Sequence, residues 1–316
     1  MANIRHISPR QVLNVNHGRS MGFDWSANPY RGCSHACHYC YARDTHRYLD
    51  LGIGQDFSKT LFIKDNFGNV LKKNLRRVPL NEVITLGTAT DPYQPLESKY
   101  RVTRSILEVV AETGHAVTIT TKSPLILRDL DLLSVMGQRR QLHVHMSLIS
   151  LNGQILKVLE PGSPSPQRRI STMAELLNHD IPTAWFLAPI LPFITDDDET
   201  LQSIFATAHA LNIRWLMASV GHFTPSMYQY FYDFLTRTPL RTRLQQFAEV
   251  YHKPSYKIDD TYRANLRLRL TRLYFRYGIP SSIEPPRGFQ CWHQNEFSFD
   301  TNQNSRGISN SVNVHA

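Results

Sequence analysis

The sequence predicts an α/β fold: a partial (β/α)6 TIM-type barrel with a helical, basic C-terminal extension. Two observations carry the barrel. Short β-branched runs alternate with amphipathic helical stretches, and the alternation repeats about six times. A third observation sets the scale. The chain has 316 residues, 41% hydrophobic and 19% charged, enough for one large core with an appendage.

The elements follow in order. Residues 1–22 read as an N-terminal arm, and 23–27 as a short first strand. Residues 61–75 interrupt the alternation and read as a small hairpin or loop excursion around Asn66-Phe67-Gly68-Asn69. Residues 82–88 (EVITLGT) form the second strand. Residues 99–113 form a helix, with Val102, Ile106, Val109 and Val110 at helical spacing. Residues 116–121 (AVTITT) are the third strand, and Ser123-Pro124 opens the next helix with a capping serine and a first-turn proline. Residues 141–150 are a strand, Ser165-Pro166 starts a helix to about 178, 183–188 is a strand, 196–211 a helix and 213–220 the last strand. The barrel thus occupies 23–221. Residues 222–296 form the extension, and the Asn- and Ser-rich stretch 297–316 is expected to be disordered.

The formal charge is +9. Residues 237–276 alone hold ten Lys/Arg against three Asp/Glu. A basic balance favours polyanionic partners, nucleic acid among them, although anionic small ligands want a positive pocket too. The polar start (Met-Ala-Asn-Ile-Arg-His) lacks the apolar run of a signal peptide. The most apolar stretch, 181–194, is too short for a bilayer and carries three prolines. A cytoplasmic protein with no membrane partner is the expectation.

Three of the four cysteines, Cys33, Cys37 and Cys40, fall on one short loop just after the first strand. Parallel barrels place their active sites at the C-terminal ends of their strands, where this loop lies. A C-x3-C-x2-C run can supply three corners of a [4Fe–4S] cube and leave one iron open. A zinc site takes its ligands as two separated pairs, which His35 and His38 are too close to supply. A redox dithiol explains Cys37 and Cys40 and ignores Cys33. Completion of the cube by Cys291 remains open.

With Tyr39 just before its third cysteine, this run resembles the signature of the radical S-adenosylmethionine (radical SAM) enzymes. The flanks Asn28-Pro29-Tyr30-Arg31-Gly32 and Tyr41-Ala42-Arg43 resemble the spore photoproduct lyase-like branch. So do Thr90-Asp91-Pro92-Tyr93-Gln94-Pro95 with Glu97, Thr121-Lys122-Ser123, Glu160-Pro161, Pro166-Gln167-Arg168-Arg169 and Ala188-Pro189-Ile190. The resemblance implies a [4Fe–4S] cluster on Cys33, Cys37 and Cys40, with SAM chelating the fourth iron. One electron, from a donor of the flavodoxin or ferredoxin type, then yields a 5′-deoxyadenosyl radical that abstracts hydrogen from a substrate.

The resemblance and barrel position together nominate the SAM-binding residues. Asp91, with Thr88 and Thr90, stands where such barrels meet the SAM amino group; a plain turn before Pro92 is the alternative. Tyr93, Gln94 and Glu97 are weaker candidates for lining the pocket. Lys122 ends the third strand and could meet a carboxylate. His143, His145 and Ser147 share one face of the fourth strand by period two, which suggests a polar lumen, and Ser147 is the candidate for SAM. Arg169 is the candidate for the SAM carboxylate, with Glu160 bracing it or meeting the ribose; a surface ion pair is the alternative. By the same motif match the resemblance assigns Ala188-Pro189-Ile190 to the adenine pocket; a proline that simply ends the strand is the alternative. Arg269, Arg272 and Arg276 share a helix face that could track phosphates or simply be solvated.

One departure limits the likeness. Spore photoproduct lyases carry a further cysteine that donates hydrogen, and here none lies between Cys40 and Cys291. The expected activity is therefore radical chemistry on a nucleic acid, of repair or base-modification type. The same chemistry on a small molecule or peptide, and a non-enzymatic iron–sulfur regulator or electron carrier, are the alternatives.

Overall fold

The computed structural model describes residues 2–16 and 23–280 and the strand pairs 282–283 and 292–293. Cys291 and the stretch 297–316 lie outside the described residues. Six parallel strands form the barrel wall: β1 (Trp25–Ala27), β2 (Val83–Leu86), β3 (Ala116–Thr121), β4 (Leu142–Ser147), β5 (Thr183–Ile190) and β6 (Trp215–Val220), hydrogen-bonded in chain order. Leu13–Val15 pairs antiparallel with β1 and closes that edge.

The strand register separates two faces. Ile119, Val144, Trp185 and Leu216 point outward into the core shared with the helices. Trp185 is wholly buried, and its indole N–H donates to Leu148 O at 2.8 Å. The opposite parity lines the lumen. Thr118 stands beside His143 and Thr120 beside His145. Ser147 pairs with Phe186, and Ala184 with Trp215. The lumen is therefore polar along β3 and β4 and apolar along β5 and β6, where Ala184, Trp215 and Met217 cluster against Phe186.

Helices α1 (Val102–Thr113), α2 (Leu130–Gln138), α3 (Pro166–Asn178) and α4 (Asp198–Ala210) cover the wall. Ser165 caps α3 as its Ser-Pro start predicts. Ser123 caps a 3-10 turn, Pro124–Asp129, that precedes α2. The helix expected over 99–113 is broken at Arg101, whose φ of 51° is left-handed. The buried Glu97 carboxylate instead receives the first amides of α1, from Thr103 at 2.8 Å and Arg104 at 3.3 Å.

Residues 61–75 are not a hairpin. Thr60–Lys64 is the central strand of a separate sheet, between Asn3–Ile7 and Tyr30–Arg31, and Phe67–Asn74 is a helix. The N-terminal arm is thus partly strand.

The extension adds α5 (Pro225–Thr236) and α6 (Asp260–Tyr277). Phe231, Leu235, Leu266 and Tyr274 join the same apolar core as the barrel. Arg269 of the arginine face donates to Asp198 Oδ1 at 2.7 Å and to the backbone of Asp196. No helix among the described residues is long and apolar enough to cross a membrane.

Candidate active site

The cysteine loop leaves the small sheet at Arg31 and turns at Gly32, where φ is 78°. A side chain at Gly32 would strike Phe57 O at 2.8 Å and Thr60 O at 2.9 Å, so glycine is required there. Cys33 N donates to Phe57 O at 3.0 Å, His38 N to Leu159 O at 2.9 Å, and Gly162 N to His35 O at 3.1 Å. A Cβ on Gly162 would lie 2.1 Å from Ser34 O. The loop is thereby clamped between the 57–61 segment and the turn after residue 159.

Arg43 holds the loop from within. Its guanidinium is 1% exposed. It donates to Cys37 O at 2.8 Å, Ala36 O at 2.7 Å, Ile53 O at 2.9 Å and Gly54 O at 2.7 Å. Four backbone carbonyls of a tight loop are met by one planar fork.

Cys33, Cys37 and Cys40 are free thiols, the first two buried and the third half-buried. Burial pushes the Cys37 thiol up to about 12, against the pull of Lys122, and burial and Cys33 push Cys40 up. Three such sulfurs become thiolates together only when a cation compensates them, which is what a cluster does. Among the described residues, no three Cys, His, Asp or Glu side chains converge as ligands of a single ion would. Both loop histidines are engaged elsewhere. His38 stacks on Phe234 at 3.7 Å between centroids, and its Nδ1 meets Tyr230 OH at 2.9 Å. His35 Nδ1 lies 3.2 Å from Asp91 Oδ2, an ion-pair contact too misaligned to be a hydrogen bond. The donor set fits a three-thiolate cluster.

Asp91 is a clamp. Oδ1 accepts from Tyr93 N at 2.8 Å and Thr121 Oγ1 at 2.7 Å, and Oδ2 accepts from Lys122 N at 2.8 Å beside His35. Burial works to raise its pKa, but His35 and these donors hold it down at about 2. Burial likewise opposes charge on His35, yet Asp91 and Cys33 raise it to about 10. Both carboxylate oxygens are occupied by protein, so Asp91 ties the loop to the ends of β2 and β3. Thr90 donates to Gly32 O at 2.6 Å and is also tied to the loop. The Thr88 hydroxyl accepts from Asn28 at 2.9 Å, and its carbonyl from Tyr41 OH. Tyr93, Gln94 and Glu97 are fully buried. Gln94 Oε1 accepts from Ser34 N at 3.0 Å, while Tyr93 and Glu97 meet Asp129 and Tyr30.

Arg169 and Glu160 form no surface ion pair. They are paired at 0% side-chain exposure. Arg169 also donates to Ser147 O at 3.0 Å and Pro164 O at 2.9 Å, and Glu160 accepts from Tyr39 OH. Burial opposes charge on both, but each holds the other ionised: Glu160 is lowered and Arg169 raised. The pair braces the cysteine loop, through Tyr39, against the end of β4.

Lys122 faces the lumen at its rim. Its ammonium donates to Ser147 Oγ at 2.9 Å and lies 5.9 Å over the Tyr39 ring. Burial works against its charge, and Cys37 and Glu160 restore it, so its pKa is raised. Ser147, Lys122 and Tyr39 thus meet beside the thiols. His145 stacks on Phe186 at 6.1 Å, and His143 tilts over Trp215 at 5.1 Å. Sequence reasoning quoted Arg43 and Tyr39 but missed their roles, because their partners are backbone carbonyls and a glutamate about 120 residues away. The combination of Arg three residues after the last cysteine with a loop full of turn residues was the available signal.

A family model for the radical SAM superfamily matches residues 27–204. An uncharacterised protein of Mycobacterium tuberculosis is 32% identical over 278 residues, covering 87% of this chain and 81% of that one. A radical SAM Nalpha-GlyT isomerase of Pseudomonas phage M6 is 23% identical over 276 residues, covering 81% and 55%. Spore photoproduct lyase, solved with a dinucleoside spore photoproduct, superposes with a TM-score of 0.67 at 14% identity, covering 87% and 79%. The chain therefore belongs to the radical SAM superfamily of [4Fe–4S]- and SAM-dependent enzymes, and it shares the fold of spore photoproduct lyase.

Proposed function

We propose that Cys33, Cys37 and Cys40 hold the cluster, that Lys122 meets the SAM carboxylate, and that the substrate is a nucleic acid. Bound together, cluster and SAM supply a 5′-deoxyadenosyl radical able to take a hydrogen atom from carbon. The observation that carries the reading is the trio of free thiols beside Lys122 and Ser147 at the C-terminal rim of the barrel. Arg43 fixes the loop's carbonyls, and Asp91 holds His35 and the strand ends in place. Arg169 keeps Glu160 ionised, and Glu160 orients Tyr39. Arg169, Glu160, Asp91 and Thr90 are positioning residues in this reading. Lys122, Ser147 and the half-buried turn at Thr88 are the groups assigned to SAM. The barrel packs out bulk water on the β5 and β6 side through Phe186, Trp215 and Met217.

Two observations support a nucleic-acid substrate: the net charge of +9, and the fold shared with spore photoproduct lyase, which was solved with a dinucleoside spore photoproduct. The test has two arms. Anaerobically reconstituted protein, given dithionite and SAM, releases 5′-deoxyadenosine; a fully loaded sample that releases none sinks the enzyme reading. Oligonucleotide binding at low ionic strength weakens steeply with salt; no binding there leaves the radical chemistry standing and turns the substrate to a small molecule or peptide.

A further inference from the structure

The inner face of the barrel below Lys122 is not packed shut. Val144, Met146, Trp185 and Leu187, of the outward parity, have no exposed surface. On the inner face Ser26, Thr85 and His143 keep 6% each and Trp215 keeps 7%. Thr120 and Phe186 are only half-buried. A closed barrel fills its interior with branched apolar side chains. This one leaves room and lines it with polar and aromatic groups.

The strand register arranges that lining in levels. Lys122, Ser147, Phe186 and Met217 stand abreast at the rim. Two residues down each strand, about 7 Å deeper, stand Thr120, His145, Ala184 and Trp215. Two further down, Ser26, Thr85, Thr118 and His143 form a polar floor across β1 to β4. The Thr85 and Thr118 hydroxyls share a hydrogen bond of 2.7 Å. The Trp215 ring meets His143 at 5.1 Å between centroids, and Phe186 stacks on His145 at 6.1 Å.

Neither His143 nor His145 makes a hydrogen bond among the described residues, and His143 Nδ1 is buried without a partner. Protein interiors leave few such groups unpaired, and a water or ligand completes most of them. Burial keeps both rings neutral, with pKa values lowered to about 4 for His143 and about 3 for His145, so each ring offers one donor and one acceptor. Arg214, whose guanidinium lies 4.9 Å over the Trp215 ring, acts on His143, and no carboxylate acts on either imidazole. Among the described residues, no Cys, Asp or Glu joins them as ligands of a metal ion.

We infer that this lumen is the pocket for one nucleobase of the substrate, stacked against Phe186 and hydrogen-bonded at its edge by His145 and His143, the specificity-determining residues. The inference rests on the nucleic-acid reading above and deepens it. An aromatic wall facing neutral donor and acceptor groups fits an uncharged planar heterocycle. A phosphate or carboxylate finds no cation on the floor, and a sugar offers Phe186 no π face. The floor lies about 13 Å below the rim, so a base of a strand enters only when turned out of its stack. A base held there sits beneath Lys122 and Ser147, the groups assigned to SAM.

The test measures binding of short single strands of equal charge to the reconstituted protein, before any reductant is added. One strand is wholly abasic, and the others carry a single A, C, G or T among abasic sites. Wild type binds at least one base-bearing strand about tenfold more tightly than the abasic one. His143→Phe and His145→Phe keep a ring against Trp215 and Phe186 and remove its nitrogens; each abolishes most of that preference. Phe186→Leu reduces it as well. In all three variants iron content, SAM affinity and affinity for the abasic strand stay at wild-type values. Equal wild-type affinity for every strand overturns the inference and leaves the nucleic-acid reading standing. A preference that survives in the histidine variants overturns it too, and so does its loss together with iron or SAM affinity, which marks a structural role. Failure of every strand to bind sinks the nucleic-acid reading instead, and free nucleosides then decide: binding that His145→Phe removes keeps the pocket with a nucleoside as its source, and no binding overturns the pocket.

Discussion

Glu160→Gln distinguishes a brace from a ligand-binding arginine. The substitution keeps shape and removes one charge. Arg169, with no exposed side-chain surface, then keeps its bonds to Pro164 O and Ser147 O and loses its countercharge. Breaking one side of a buried pair costs about 3–5 kcal/mol, and the amide oxygen still accepts, so about 3 kcal/mol is expected. Unfolding entropy near 2.1 cal/mol/K per residue gives about 0.7 kcal/mol/K for 316 residues. The melting temperature should fall by about 4–5 °C in differential scanning calorimetry. Tyr39 loses its charged acceptor in the same step, so iron content after reconstitution should fall as well. The double variant Glu160→Gln/Arg169→Met should be less destabilised than the sum of its singles by at least about 1 kcal/mol. If Glu160→Gln leaves the melting temperature unmoved and tightens SAM binding, Arg169 is a restrained ligand for the cofactor, and the brace is wrong.

Further outcomes follow from the same contacts. Lys122→Met should keep the cluster and weaken SAM binding about 10- to 100-fold, as loss of a charge-assisted bond implies, measured by equilibrium dialysis of the reconstituted protein. Arg43→Lys cannot span the carbonyls of Cys37, Ala36, Ile53 and Gly54, so iron and sulfide per chain should drop well below wild type. Burial lowers His143 to about 4, with help from Arg214, and His145 to about 3, with help from His143. Their folded pKa values lie below the unfolded value near 6.5, so the stability they allow is complete above that pH. It is lost as pH falls toward 4, at up to about 1.4 kcal/mol per unit for each. Urea titrations from pH 7 to pH 4.5 should show the slope, and His145→Gln should flatten it.

Much of the barrel was legible because its strands are continuous β-branched runs, as in residues 82–88 and 116–121, and one of its helices opens on the Ser165-Pro166 pair. The small sheet was not. Asn3–Ile7 is mostly polar and exposed, and it becomes a strand only by pairing with Thr60–Lys64, a partner no local pattern announces. The left-handed Arg101 was hidden for a similar reason: the Glu97 carboxylate caps the helix from five residues upstream, outside the usual N-cap position. At the site, the cysteine spacing was sufficient to name the loop, but the roles of its neighbours depend on who faces whom. Asp91 and Arg169 have the right chemistry to hold a charged cofactor, and burial has given both to the protein, leaving Lys122 in the lumen.

The most direct measurement is electron paramagnetic resonance of the reduced cluster in the Cys291→Ala protein, with and without SAM. Three protein thiolates and one open iron predict a full [4Fe–4S] signal that SAM shifts, followed by 5′-deoxyadenosine. Loss of the cluster with Cys291, or a signal that SAM does not alter, would contradict the open iron on which the site is built.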